Sequence, residues 1–136
     1  MLADDDDTYW RVEPHGRIVR LIRTPVPYSS AEQARDCHVT LLARVLAPGL
    51  DRPRCGQLVD LRDGPLRTDP TFEEVIREPR ARLFDGLGAS AVLVRTLSGK
   101  LQLHRMERTD RVYRTFDDED EALAYLASML AADAGE

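Results

Sequence analysis

The chain has 136 residues, 43% apolar and 32% charged, an ordinary balance for one globular domain that buries about two thirds of its unfolded surface. A formal net charge of −5 gives no general electrostatic attraction to nucleic acid or to an anionic membrane. The basic side chains are eighteen arginines and one lysine, Lys100, so the positive surface is made of planar forks that suit carboxylate and phosphate partners.

No positively charged start followed by an apolar core reads as a secretory signal. The most apolar stretch, Leu123 to Ala132, is shorter than the ~20 residues that a membrane span needs. The expected compartment is therefore the cytoplasm, with Cys37 and Cys55 as reduced thiols.

Residues 1–8, MLADDDDT, read as a disordered acidic tail, because adjacent aspartates repel one another and bury nothing. Tyr9 to Glu13 and Arg17 to Thr24 are β-rich runs separated by Pro14-His15-Gly16, which predicts a hairpin stopped by Pro25 and Pro27. Ser29 or Ser30 can cap a helix to about Leu46, with Ala34, Cys37, Leu41, Leu42 and Val45 on its apolar face. Gln57 to Leu61 reads as a short buried strand. Asp69 is a natural N-cap and Pro70 fits the first position of a helix through Arg77, with Glu73 and Glu74 complementing its dipole. Pro79 is expected to break that helix, and 80–86 to form another short one. Ala91 to Thr96 reads as a further strand.

Residues 98–109 are ambiguous: "KLQLHRM" alternates like a strand, whereas Ser98 could cap a helix. Tyr113 to Phe116 is a last short strand. Asp117 or Asp118 then caps a final helix, Glu121 can complete a capping box, and Ala122, Leu123, Leu126, Met129 and Leu130 form its apolar face. Strands alternating with helices predict one α/β domain over 9–131, with a C-terminal tail at 132–136. Its sheet is mixed and mostly parallel, opening with an antiparallel hairpin, and helices pack on it.

The strands "GQLVDLRD" and "AVLVRT", the segment "GKLQLHRM" and the ending "VYRTFDDEDEALAYL" together resemble the SpoIIAA-like proteins. These are bacterial STAS/Sec14-type domains related to anti-sigma-factor antagonists, and the resemblance covers roughly residues 9–131. It implies a helix rather than a strand at 98–109. It also implies a regulatory or adaptor role through protein–protein contacts, without catalysis and without a cofactor. Sec14-type kinship supplies an alternative, a domain that binds a small apolar ligand or lipid.

In the antagonists the acceptor hydroxyl lies at the helix start after the central strand, in a motif like D-S/T-S/T-G-L/V. The matching stretch here is "RTDPTFEEV", with Thr71 the nearest counterpart and Thr68 an outside one. The glycine is missing, and Pro70 stands where the motif has a hydroxyl. A phosphate there gains from the helix N-terminus but meets Asp69, Glu73 and Glu74, which Arg67 only partly offsets. An ordinary capped turn accounts for the same residues. The expected partner-binding or switch surface is Arg62, Asp63, Arg67, Thr68, Asp69 and Thr71.

Pairing Asp60 with Asp63 or Asp69 for acid–base work lacks a nucleophile or electrophile beside it. "LVDLRD" resembles the acceptor strand of response-regulator receivers, but "VEPHG" offers only Glu13 where Mg²⁺ needs a pair of acids. His15, His38 and His104 lack the spacing of a zinc site, and Cys37 reads as a small core residue, so no metal is expected. "GLGAS" precedes a strand instead of following one, which excludes a dinucleotide fingerprint. Ser98, Gly99 and Lys100 would sit at a helix N-terminus and form a candidate anion site, although helix capping is the more ordinary account of them. The acids 117–121 point in different directions around a helix and read as its start. Arg105, Arg108, Arg111 and Arg114 could meet an acidic partner or form a solvated face. The expected partner is another cytoplasmic signalling protein. Homodimerisation through the Trp10 hairpin or the last helix is the further option.

Overall fold

The computed structural model describes residues 8–47, 49, 51–65, 70–95 and 113–134. β1 (Trp10–His15) and β2 (Ile18–Arg23) form the expected antiparallel hairpin, in register from Trp10 opposite Arg23 to His15 opposite Ile18. Pro14, expected in the turn, lies inside β1 opposite Val19. The Tyr9 carbonyl accepts from the Thr24 N–H at 2.9 Å, so strand alternation turns the backbone groups of Trp10, Val12 and Pro14 away from β2. β1 is an edge strand, and a proline facing outward there removes no ladder bond.

Ser30 caps α1 (Ala31–Leu46) by accepting from the Gln33 N–H at 3.0 Å, and Gln33 Oε1 accepts in return from the Ser29 N–H at 2.5 Å. This reciprocal pair satisfies one donor that the first turn leaves open, the Gln33 N–H, and one just before the cap, the Ser29 N–H. A 3-10 turn at Arg52–Arg54 leads into β3 (Gly56–Asp60). α2 (Pro70–Phe84) begins at Pro70 as expected but runs unbroken through Pro79. Proline removes one helical hydrogen bond at a cost of roughly 3 kcal/mol. Here Pro79 is buried on the same face as Ile76 and Leu83, so packing against α1 offsets that loss. The predicted break and second short helix are therefore corrected to one helix.

β4 (Ala89–Leu93) follows, earlier than the expected 91–96. "GLGAS" serves this connection sterically: a Cβ on Gly88 would lie 2.4 Å from the Pro53 carbonyl oxygen, so the 3-10 turn can approach only a glycine there. β5 (Arg114–Phe116) and α3 (Glu119–Ala134) complete the described chain, and α3 continues beyond the domain limit expected at 131. Asp118 caps α3, its Oδ1 accepting from the Asp120 and Glu121 N–H groups at 2.8 and 3.4 Å. The segment 98–109 lies outside the described residues.

The sheet order is β1-β2-β3-β4-β5, with every neighbour after the hairpin parallel, so the mixed α/β sheet is as expected. The β2-α1-β3 and β3-α2-β4 crossovers advance in one direction, and a constant right-handed crossover places both helices on one face. α1 and α2 accordingly pack together, whereas α3 covers β3, β4 and β5 on the other side. The first face holds Trp10, Leu21, Leu41, Val59, Phe84, Val92 and Tyr113. The second holds Leu58, Ala89, Ala91, Leu93, Ala122 and Leu126.

Two further expectations change. Cys37 is only half-buried, and His38 takes the core position on α1. Met129 is exposed, while Ala122, Leu126 and Leu130 carry the buried face of α3. Trp10 is a core residue at 6% exposure, while its strand β1 forms an edge of the sheet.

Candidate functional site at the carboxyl edge of the sheet

β2, β3, β4 and β5 run parallel, so their carboxyl ends share one edge, where the loops after Arg23, Asp60 and Leu93 emerge. Strand alternation sorts the side chains at this edge onto two faces. Arg20 and Asp60 point with Ile18, Leu58 and Leu93 toward α3. Arg23 points with Trp10, Leu21 and Val59 toward α1 and α2.

On the α3 side, Arg62 grips Asp60 with both branches of its guanidinium: Nε donates to Oδ1 at 3.0 Å and Nη2 to Oδ2 at 2.8 Å. The Arg62 backbone N–H also donates to Asp60 Oδ1 at 3.0 Å, so the chain folds back as it leaves β3. The same Nη2 reaches Glu119 Oε1 at 2.8 Å, in the first turn of α3. Arg20 Nη2 donates to that oxygen at 3.3 Å and lies 3.9 Å from Asp60 Oδ2. Burial raises the Asp60 carboxyl more than any other single influence. The hydrogen bonds and charge of Arg62, helped by Arg20, together outweigh it and hold the group below its ordinary value. Arg62 is correspondingly held protonated, chiefly by its hydrogen bond to Asp60.

On the α1–α2 side, Arg23 is 6% exposed, and no carboxylate among the described residues pairs with it. Its Nη1 donates to the carbonyls of Tyr9 and Thr24 at 3.1 and 2.8 Å. The guanidinium stacks 4.1 Å from the centre of the Tyr28 ring, which itself stacks on Tyr9. Trp10 Nε1 donates to the Tyr28 hydroxyl at 2.8 Å, and Tyr28 also touches Phe72 in the first turn of α2. His38 closes the cluster edge-on to Trp10, with Nδ1 2.8 Å from the Ala34 carbonyl. Burial is the main reason its pKa falls to about 4, and the charges of Arg80 and Arg23 add to the effect. The ring is therefore neutral near pH 7, and Nδ1 is its donor to Ala34.

The loop at 61–65 is held from both faces. Arg62 ties it to the charged network, and Gly64 rests on the Arg23 side chain, where a Cβ would come 2.5 Å from Arg23 Cγ. Between these two anchors Asp63 projects outward and pairs with Arg95 at 2.5 Å, with side chains 58% and 64% exposed.

The expected surface is thus assembled in part. Arg62, Asp63 and the exposed Thr71 lie at one edge. Arg67, Thr68 and Asp69 lie outside the described residues, as do Ser98, Gly99, Lys100, Arg105, Arg108 and Arg111. Asp60 and Asp63 do not form an acid–base pair, because each is taken by a different arginine. Arg114 stacks over Phe116 and Tyr125 beside α3. Arg20, Arg23, Tyr28, His38 and Glu119 were not singled out for the site. The two-residue spacing of Asp60 and Arg62 hinted at their pairing, but Arg20 and Glu119 stand 99 positions apart and leave no local signal.

Among the described residues no group of three or more His, Cys, Asp or Glu is placed to hold a metal ion. Among them, too, no helix is long and apolar enough to cross a membrane. Comparison with protein-family models, with curated proteins and with solved structures finds no match to this chain.

Proposed function

We propose that this chain is a bacterial signalling or adaptor module of the SpoIIAA-like kind, acting in the cytoplasm by binding another protein rather than by catalysis. The observation that carries the reading is the loop at 61–65, anchored on both faces of the sheet while it presents the Asp63–Arg95 pair to solvent. An edge fixed in this way loses little conformational entropy when a partner docks, which favours recognition. The exposed Thr71, at the start of α2, is the hydroxyl through which phosphorylation would switch that edge. A phosphate there would gain from the dipole of the helix start and would face repulsion from Glu73 and Glu74. The alternative is a domain that binds a small apolar ligand or lipid.

The test is partner capture from the native cells with the unmodified chain and two charge reversals. Asp63→Arg alters the proposed edge, and Glu78→Arg makes the same change on the exposed outer surface of α2. The expected result is a stoichiometric protein partner whose affinity falls at least about tenfold with Asp63→Arg and is unchanged with Glu78→Arg. Equal affinity for both variants would remove this edge from consideration. A bound apolar molecule in place of a protein would favour the alternative.

A further inference from the structure

Two guanidinium groups, those of Arg20 and Arg62, converge on one oxygen of one carboxylate, Glu119 Oε1, at 3.3 and 2.8 Å. Such convergence is how proteins recognise an incoming carboxylate. The group that fills it here belongs to the first turn of α3 and is itself only half-buried, with 31% of its side chain exposed. Arg20 also keeps one donor unsatisfied while Glu119 is in place, because its buried Nε has no hydrogen-bond partner among the described residues. Asp60 neutralises one of the two positive charges from below, by its bidentate bond to Arg62 and its approach to Arg20. With Glu119 withdrawn, the pair keeps one positive charge that no other carboxylate among the described residues compensates, the complement of a single carboxylate.

From this geometry we infer that Arg20 and Arg62 form a cradle for one carboxylate of the docking protein, and that Glu119 occupies the cradle in the free chain. The inference rests on the carboxyl edge being a protein-docking face and names the chemistry of the partner there, an acidic side chain. Glu119 acts as an internal competitor. Its displacement would free the N-terminal turn of α3 from the loop after β3, so binding at the edge would be felt by the helix on one face of the sheet. Release is inexpensive for Glu119, because an acid in a first helical turn is also stabilised by the helix dipole and by water.

The experiment titrates a short acetylated oligoglutamate peptide into the full chain and follows the Nε–H resonances of Arg20 and Arg62. Glu119→Gln keeps the shape of the side chain and removes the competing charge. The expected result is binding about tenfold tighter to Glu119→Gln than to the unmodified chain, the scale of one charge-assisted hydrogen bond, with both arginine signals moving. Glu119→Asp, which keeps the charge and shortens its reach, should fall between the two, and adding Arg62→Gln should abolish the gain. The inference is overturned if the peptide leaves both arginine signals in place, or binds both forms with equal affinity. It is also overturned if inorganic phosphate moves the signals and the peptide does not. Because the peptide titration does not need the native partner, its failure is separate from that of the docking reading, which the Asp63→Arg comparison tests.

Discussion

The two faces of the sheet solve the same problem at the carboxyl edge by different physics. Toward α3, the cations Arg20 and Arg62 are balanced by Asp60 and Glu119 and keep contact with water. Toward α1 and α2, Arg23 is buried with no carboxylate beside it among the described residues, and backbone carbonyls and the faces of Tyr9 and Tyr28 surround it. An ion pair open to solvent can exchange one partner for another at small cost. A cation wrapped in aromatic rings and carbonyls has no such freedom, since any opening leaves a buried charge without solvation. On the proposed reading, the first face suits recognition and the second anchoring.

Cutting into each face separately gives the largest expected effects. Leu126→Ala on the α3 side and Leu41→Ala on the α1 side each remove a fully buried side chain, and each should cost about 2–5 kcal/mol in denaturant unfolding. The charged network should survive in Leu41→Ala better than in Leu126→Ala, which loosens the helix that carries Glu119. Arginine side-chain resonances would report the difference.

Acid should separate the faces by pH. His38 is held neutral in the fold with a pKa of about 4, against 6.5 in the unfolded chain. The unfolded state therefore binds a proton first as pH falls. Stability should drop between pH 6.5 and about 4 by about 3 kcal/mol and level off below. Asp60 is displaced in the same direction but from a lower starting value, 3.8, so its contribution is present above that value and lost only as pH falls below it. Urea unfolding across this range should show the first loss vanish in His38→Gln while the second remains. A single transition shared by the unmodified chain and His38→Gln would mean that the faces do not titrate independently.

Gly64→Ala probes the point where the loop meets the anchoring face. The new methyl would fall 2.5 Å from Arg23 Cγ, close to the backbone where the side chain cannot swing aside, and should cost about 1–3 kcal/mol. The smallest effect is expected from Asp63→Asn. The Asp63–Arg95 pair is solvent-exposed on both sides and should contribute about 0–1 kcal/mol to stability. A large loss of partner affinity with unchanged melting would therefore assign Asp63 to recognition.

Much of the architecture was legible from local pattern, because the signals are local in origin. Ser30 and Asp118 cap their helices through bonds to N–H groups two or three residues on. Pro70 opens α2 because its missing N–H is not needed there. Pro79 misled for the complementary reason: the rule that proline breaks a helix is local, whereas burial beside Ile76 and Leu83 against α1 is not. His38 and Cys37 exchanged roles in the same way. Both lie near the apolar stripe of α1, and only the position of Trp10 and Tyr28 decides that the imidazole goes inward.

The sequence by itself determined the alternation of strands and helices, the helix starts and the gathering of polar residues after β3, since each depends on neighbours within a turn or two of chain. The tertiary structure alone decided which charges meet. Arg20, Asp60, Arg62 and Glu119 lie on β2, at and just after the end of β3, and on α3, and strand register and helix docking bring them together. Register also decides that Arg23, three residues beyond Arg20, faces the other side of the sheet and finds rings where Arg20 finds carboxylates. Side-chain direction alternates along a strand with period two, so the two arginines separate completely by face, and only the packing of the helices gives each its partner.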